Sequence, residues 1–205
     1  MPSRPLASVR VANIEATRER IVTVARDVVG EEGWQGAQIA LIAARAGVAT
    51  GSVYRYFESK TALYAQVLDM VSRQEVEVLR EIVDGGGTAA ERLATAITAF
   101  MRRSMKSRRL AYALIAEPCE PEIDAVRLKY RAVIAAQFAR VIRDGMASGE
   151  FIDVDQKVAA SCVVGAFVEA LIGRLAPGAK ASAAAAERMD AATVQLCTRM
   201  LAKAR

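Results

Sequence analysis

QIALIAARAGVATGSVYRYFESKTALYAQVL, residues 38 to 68, holds two short helical patterns separated by Ala46-Gly47-Val48-Ala49. In the first, Ile39, Ile42, Ala43 and Ala46 recur at i, i+3, i+4 and i+7, the spacing that gathers apolar side chains on one face of a helix. Gly47 supplies the left-handed residue that ends such a helix, and Val48 plugs the turn. Thr50 is placed to cap the second pattern through its hydroxyl. Within it Val53 and Phe57 face inward, which leaves Ser52, Tyr54, Arg55 and Tyr56 outside. Helix, tight turn and second short helix with a polar outer face read together as a helix-turn-helix. Ser59 caps a further helix from Lys60, whose apolar spacing through Leu63, Val67, Leu68, Val71, Leu79 and Ile82 persists almost to Asp84.

Before this unit, Ile14, Ile21, Val22, Ala25, Val28 and Val29 predict an amphipathic helix that stops near Gly30 to Gly33, with Trp34 as an apolar anchor. Residues 1 to 12, with Pro2, Pro5, Arg4 and Arg10, predict a flexible arm. After it, Gly85-Gly86-Gly87 breaks the chain and Thr88 restarts a helix through Leu93, Ile97, Phe100 and Met101. A short apolar segment from Leu110 to Ala116 ends at Glu117-Pro118-Cys119-Glu120-Pro121, where proline forbids continuation. Long helices follow over Ile123–Met146, Val158–Leu175 and Ala181 to about Ala202, the last with Met189, Ala192, Thr193, Leu196 and Met200 on one stripe. The reading is all-α, with an arm at 1–12, a three-helix helix-turn-helix domain at 13–70 and a helical body at 71–205. The helix from about residue 60 is the expected mechanical link between the two.

Composition narrows the function. The chain has no histidine, which removes the commonest general base and metal ligand. It carries no GxSxG, P-loop, dinucleotide fingerprint or paired metal ligands, so neither an enzyme nor a cofactor or metal site is expected. The net charge is +5, but residues 1 to 70 hold 8 Lys/Arg against 7 Asp/Glu. Charge placement, not overall basicity, must therefore carry any argument for nucleic acid. Cys119, Cys162 and Cys197 have no CxxC spacing and read as small buried apolar residues in a reducing, cytoplasmic setting. No signal peptide is visible, and Val158 to Gly173 falls short of the roughly 18 residues of a membrane span and contains Glu169.

The combination Ile42-Ala43, Ala46-Gly47-Val48, Gly51-Ser52-Val53-Tyr54 and Phe57 through Leu63 resembles the N-terminal domain of TetR-family transcriptional regulators over roughly residues 14 to 68. The resemblance implies a dimeric, ligand-responsive DNA-binding regulator, in most members a repressor, acting on a palindromic operator in double-stranded DNA. Carried onto this sequence, it implies DNA contacts at Gln38, Thr50, Gly51, Ser52, Tyr54, Arg55, Tyr56 and Lys60. Physical chemistry agrees with these positions. The N–H groups of Thr50 and Gly51 can approach a phosphate, the two phenols can donate to phosphates or pack on thymine methyls, and Lys60 stands at a helix start. Arg55 has the two-pronged donor geometry for a base edge. One departure is Ala37-Gln38, where the family commonly carries Ser or Thr; Ala37 cannot cap, and Gln38 could reach a phosphate only through its amide. Ala49 likewise replaces a common Ser.

For the body the resemblance implies a ligand-binding and dimerisation domain. Residues 158–175 and 181–202 would form a homodimer interface of two helices from each subunit. An effector pocket is expected between the helices, lined by Phe100, Met101, Met105, Tyr112, Phe138, Val164, Phe167 and Val168. Glu117, Arg131 and Glu169 are its candidate polar anchors. Such a lining suits a small hydrophobic or amphipathic effector. The basic run Arg102, Arg103, Lys106, Arg108, Arg109 reads as a solvated face or loop, with a second nucleic-acid patch or an anionic-ligand site as the alternatives. A helical interaction or small-molecule-binding module without DNA binding is the competing function.

Overall fold

A computed structural model describes residues 6–180 and 182–203. Among these residues the chain forms nine helices: α1 Leu6–Gly36, α2 Ile39–Ala46, α3 Thr50–Tyr56, α4 Lys60–Val83, α5 Ala89–Lys106, α6 Arg108–Ile115, α7 Pro121–Ser148, α8 Gln156–Leu175 and α9 Ala183–Arg199. No strand occurs among the described residues, and one isolated antiparallel bridge pairs Phe151 with Ala202.

Local chemistry sets most helix starts. Ser59 accepts from the Ala62 N–H at 3.0 Å. Thr88 and Glu91 satisfy each other's backbone N–H groups in a reciprocal cap on α5. Asp155 accepts from the N–H groups of Lys157 and Val158 at 2.8 and 3.0 Å. Pro121 occupies the first turn of α7, where its missing N–H costs nothing, so that helix begins two residues before the expected Ile123. Other limits also shift. Helix α1 starts at Leu6, so residues 6–12 are helical; residues 1–5 and the Ala181 start expected for the last helix lie outside the described residues. The stop expected near Gly30 to Gly33 falls at Gly33, whose φ of 75° and ψ of −177° interrupt α1 before a last turn reaches Gly36.

Two cores flank α4. Ile21, Val28, Trp34, Ile42, Val53, Phe57, Leu63 and Tyr64 form the first, and it extends beyond the helix-turn-helix to Ala113 of α6 and Ile123 of α7. Trp34 and Tyr64 meet with ring centroids 4.7 Å apart, and the Tyr64 hydroxyl donates to the Ala37 carbonyl. The second core joins α5, α7, α8 and α9, with Phe167 packed against Phe100 and Phe138 at 5.1 and 5.4 Å. The apolar segment at 158–173 is part of a helix that is long and apolar enough, by length and composition alone, to cross a membrane, so length does not distinguish it, but burial does. Helix α8 has 20 residues, and an 18-residue stretch of it reaches a mean hydropathy of 1.8, because the helix runs on past Gly173 to Leu175. Its Val163, Phe167, Leu171 and Leu175 are buried, packing with α5, α7 and α9. The three cysteines also divide: Cys197 is buried, Cys119 partly so, and Cys162 is exposed on α8.

Candidate nucleic-acid interface and ligand cavity

Helix α2 buries Ile39, Ile42, Ala43 and Ala46, as the spacing predicts. Gly47 adopts φ 67°, ψ 36°, and the Val48 N–H returns to the Ala43 carbonyl at 3.0 Å, which turns the chain sharply into α3. Arg20 of α1 closes the same turn by donating to the Ala46 carbonyl at 3.1 Å, and Arg45 pairs with Glu31 at 2.7 Å. With Val53 and Phe57 anchored in the core, α3 is held by its inner face alone.

Its outer face carries Thr50, Gly51, Tyr54 and Arg55, all exposed, with Ser52 partly exposed beside them. Tyr54 is 52% exposed, a large aromatic without a packing role inside the chain. Two assignments change. Ala49, not Thr50, is the N-cap of α3, so Thr50 is the first helical residue and its hydroxyl makes no cap. Tyr56 does not lie outside: it is half-buried against the first core. Gln38 is the N-cap of α2 without a side-chain cap, and its amide donates to the Gln35 carbonyl at 3.0 Å. Ala37 is fully buried beneath Tyr64, a position with no room for a surface contact. Lys60 is partly buried in the first turn of α4, its ammonium 5.2 Å from the Tyr64 ring centroid.

A half-open cavity of about 810 Å³ lies between α1, α4, α5, α6, α7 and α8. Of the expected lining only Phe100, Val164 and Val168 face it. Met101, Phe138 and Phe167 are core residues with exposures of 0 to 1%, and Met105 and Tyr112 pack against that core. Sequence reasoning missed Leu68 and Val71 of α4 and Ile134 of α7, all of which line the cavity. Among the polar candidates Arg131 lines it, Glu117 stands behind it and Glu169 is exposed on α8. The basic run is solvated as expected, with Arg102, Arg103, Lys106 and Arg108 exposed, and Arg103, Lys106, Arg108 and Arg109 also line the cavity.

Arg109 also faces the DNA-binding half. Its guanidinium donates to both Glu117 carboxylate oxygens at 3.1 and 3.3 Å and to the Glu32 carbonyl at 2.9 Å. Glu117, 6% exposed, accepts in turn from the Trp34 backbone N–H at 3.3 Å. The Trp34 indole N–H donates to the Ala113 carbonyl, which also accepts from Arg127 at 2.6 Å. Cys119, beside this corner, has a thiol pushed up to about 11 by burial foremost.

A helix-turn-helix with a polar outer face, joined through one long helix to a hollow helical body, defines a DNA-binding transcriptional regulator. Residues 21–67 match the model of bacterial regulatory proteins of the tetR family, and residues 89–193 match that of the tetracyclin repressor-like C-terminal domain. The chain belongs to the TetR family, whose members are non-enzymatic transcription factors that bind operator DNA, typically as dimers, respond to small molecules and are typically cytoplasmic. It is similar to the fatty acid metabolism regulator protein of Bacillus subtilis, with 33% identity over 79 residues, 38% of this chain and 41% of that protein. It is also similar to the transcriptional regulator UidR of Escherichia coli, with 25% identity over 137 residues covering 66% of this chain and 69% of UidR. Among solved structures, FadR from Bacillus subtilis in complex with stearoyl-CoA shares the fold at a TM-score of 0.74 and 21% identity, covering 88% of this chain and 97% of that one.

Proposed function

We propose that the protein is a repressor that binds a palindromic operator as a homodimer and is released by a small hydrophobic or amphipathic effector held in the cavity. The observation that carries this reading is that Leu68 of α4 belongs at once to the core beneath the recognition helix and to the cavity wall. A ligand that reshapes the wall at Leu68 and Val71 therefore acts on the helix that carries the reader.

Gly51 supports the DNA half. A glycine inside a helix costs about 1 kcal/mol relative to alanine. A Cβ added at Gly51 would meet nothing within 4 Å, so no neighbour inside the chain requires the smaller residue. An external surface approaching the backbone does, as a DNA phosphate at the first turn of α3 would. Thr50, Ser52, Tyr54, Arg55 and Lys60 complete the proposed contact set, with Gln38 and Tyr56 at its margin.

The dimer is supported by the outer faces of α8 and α9. Val158, Leu196 and Met200 are 61%, 69% and 45% exposed, and between them α8 presents Cys162, Gly165, Ala166 and Gly173. A Cβ at Gly165 or Gly173 would likewise meet nothing within 4 Å, which leaves room for close approach of a second helix. Two copies related by a twofold axis would set the recognition helices against half-sites about 34 to 36 Å apart. The relative whose structure holds stearoyl-CoA supports an amphipathic effector.

Titration of operator DNA from the protein's own promoter region tests the reading by fluorescence anisotropy. Tyr54→Ala and Lys60→Ala should each weaken binding about tenfold. Unchanged affinity in both would remove α3 from the interface.

A further inference from the structure

We propose that the mouth of the cavity is a binding site for an anionic head group, a carboxylate or a phosphate, and that Arg109 reads its occupancy. The proposal rests on the effector reading of the cavity given above and names the chemistry of the effector's polar end.

The charge distribution is the first argument. The residues around the cavity include seven Lys and Arg against three Asp and Glu, a surplus of four where the whole chain has a net charge of five. Some of these cations are already neutralised: Arg103 pairs with Glu75 at 2.8 Å and Arg127 with Asp124 at 2.8 Å. Lys106, Arg108 and Arg131 form no ion pair among the described residues. Arg108 donates only to the carbonyls of Arg174 and Ala179, and Arg131 only to that of Ile115 at 3.3 Å. Like charges that share one cavity without counter-charges repel one another, and an anion bound in that cavity lowers that cost. The buried and half-buried part of the wall is apolar, formed by Leu68, Val71, Phe100, Ile134, Val164 and Val168, whereas Lys106, Arg108 and Arg131 are exposed. An apolar interior under a cationic rim fits a ligand with a hydrocarbon chain and an anionic end.

Arg109 makes the site consequential. Its side chain is 31% exposed and lines the cavity, while its two terminal nitrogens clamp Glu117 and the Glu32 carbonyl. An anion at the rim competes with Glu117 for the same donors. The state in which Arg109 turns to the ligand is one in which the 32–34 corner of α1 loses its clamp to α6. Ligand and DNA then favour different arrangements of one side chain, which is what a differential affinity requires. The same coupling makes operator DNA weaken anion binding by an equal factor.

Trp34 is the chain's one tryptophan and lies in this corner, so its emission reports the clamp. The test titrates the full-length protein with dodecyl phosphate, dodecanoate and dodecanol below their aggregation limits, following Trp34 emission and binding heat. At least one of the two anions should bind about tenfold or more tighter than the neutral alcohol and shift Trp34 emission. Their ratio tells whether phosphate or carboxylate is preferred. The double variant Arg109→Met with Glu117→Gln removes both charges, so no buried carboxylate is left unpaired. It should bind dodecanol as the natural chain does and lose most of the anion advantage. Arg131→Ala, at an exposed position, should lose part of it.

Dodecanol binding as tightly as both anions overturns the head-group site and leaves the effector reading standing. An anion advantage untouched in both variants also overturns it. Failure of all three probes to bind overturns the site together with the effector reading of the cavity.

Discussion

Replacing Gly33 with alanine should destabilise the protein by about 1 to 4.5 kcal/mol, whereas the same change three residues earlier should not. Gly33 has φ 75° and ψ −177°, a region essentially restricted to glycine, where a side chain costs about 1 to 3 kcal/mol. The added Cβ would stand 1.8 Å from the Arg109 Nη2 atom and 2.7 Å from the Glu117 Oε1 atom. The arginine can swing aside, so the further cost is not a fixed clash but the loss of its bonds to Glu117 and Glu32, about 1 to 2 kcal/mol for a partly exposed charged pair. Stiffening of the unfolded chain by alanine returns about 0.4 to 1 kcal/mol. Gly30 is helical, and a Cβ there would meet the Leu110 Cβ at an ordinary 3.7 Å, so Gly30→Ala should stabilise by up to about 1 kcal/mol. Thermal melts followed by circular dichroism should place Gly33→Ala below the natural chain and Gly30→Ala at or above it. If the two variants melt together, the Gly33 kink is not the point at which Arg109 grips α1.

Three further outcomes follow from the geometry. Lys60→Ala should lower the slope of log affinity for operator DNA against log salt by about one, whereas Tyr54→Ala should leave that slope unchanged, as titrations between 50 and 200 mM salt would show. Ala166→Arg, placing a cation in the middle of the exposed face of α8, should convert the proposed homodimer to a monomer in sedimentation velocity runs; a persistent dimer would put the interface elsewhere. Tyr64 has a phenol pKa raised chiefly by burial, with Glu120 and Glu117 adding to it. Its unfolded phenol releases a proton near pH 10.0 that the folded one retains, so stability is lost as pH rises above that value. Tyr64→Phe should therefore show a shallower fall in denaturant-derived stability between pH 10 and 11.5, by up to about 1.4 kcal/mol per pH unit.

What could be read from the sequence was what local chemistry decides. The turn between α2 and α3 was legible because Gly47, Val48, Ile42 and Ala43 act within one another's reach. The cap of α3 was misplaced by one residue because Thr50 has the right hydroxyl but the wrong register, and nothing local distinguishes a cap from a first-turn residue. The cavity lining was mostly illegible. Spacing shows that Met101, Phe138 and Phe167 face inward, but whether neighbouring helices fill or leave the space depends on their crossing, which periodicity does not encode. Leu68 and Val71 stand on a helix stripe whose destination the sequence does not specify. That Arg103, Lys106, Arg108 and Arg109 also line the cavity was not legible, because the break at Ser107, which turns α6 back toward α1, rests on tertiary packing.

That turn also changes how the two halves are coupled. The sequence suggests a single link through α4, since the helix from Lys60 to Val83 is the only covalent path between them. In the folded chain α6 provides a second path, because Ala113 is buried in the core of the DNA-binding half. Its carbonyl takes both the Trp34 indole from α1 and Arg127 from α7, and Arg127 reaches the Glu117 carbonyl at 2.7 Å. A ligand that displaced α4 alone would have to break the α1–α6 corner, whose buried polar bonds resist independent movement. A ligand that engages Arg109 loosens the corner and touches the α4 wall from the same cavity. Both restraints on the recognition helix are thus within reach of one bound molecule, which removes the need for any longer path of transmission through α8 or α9.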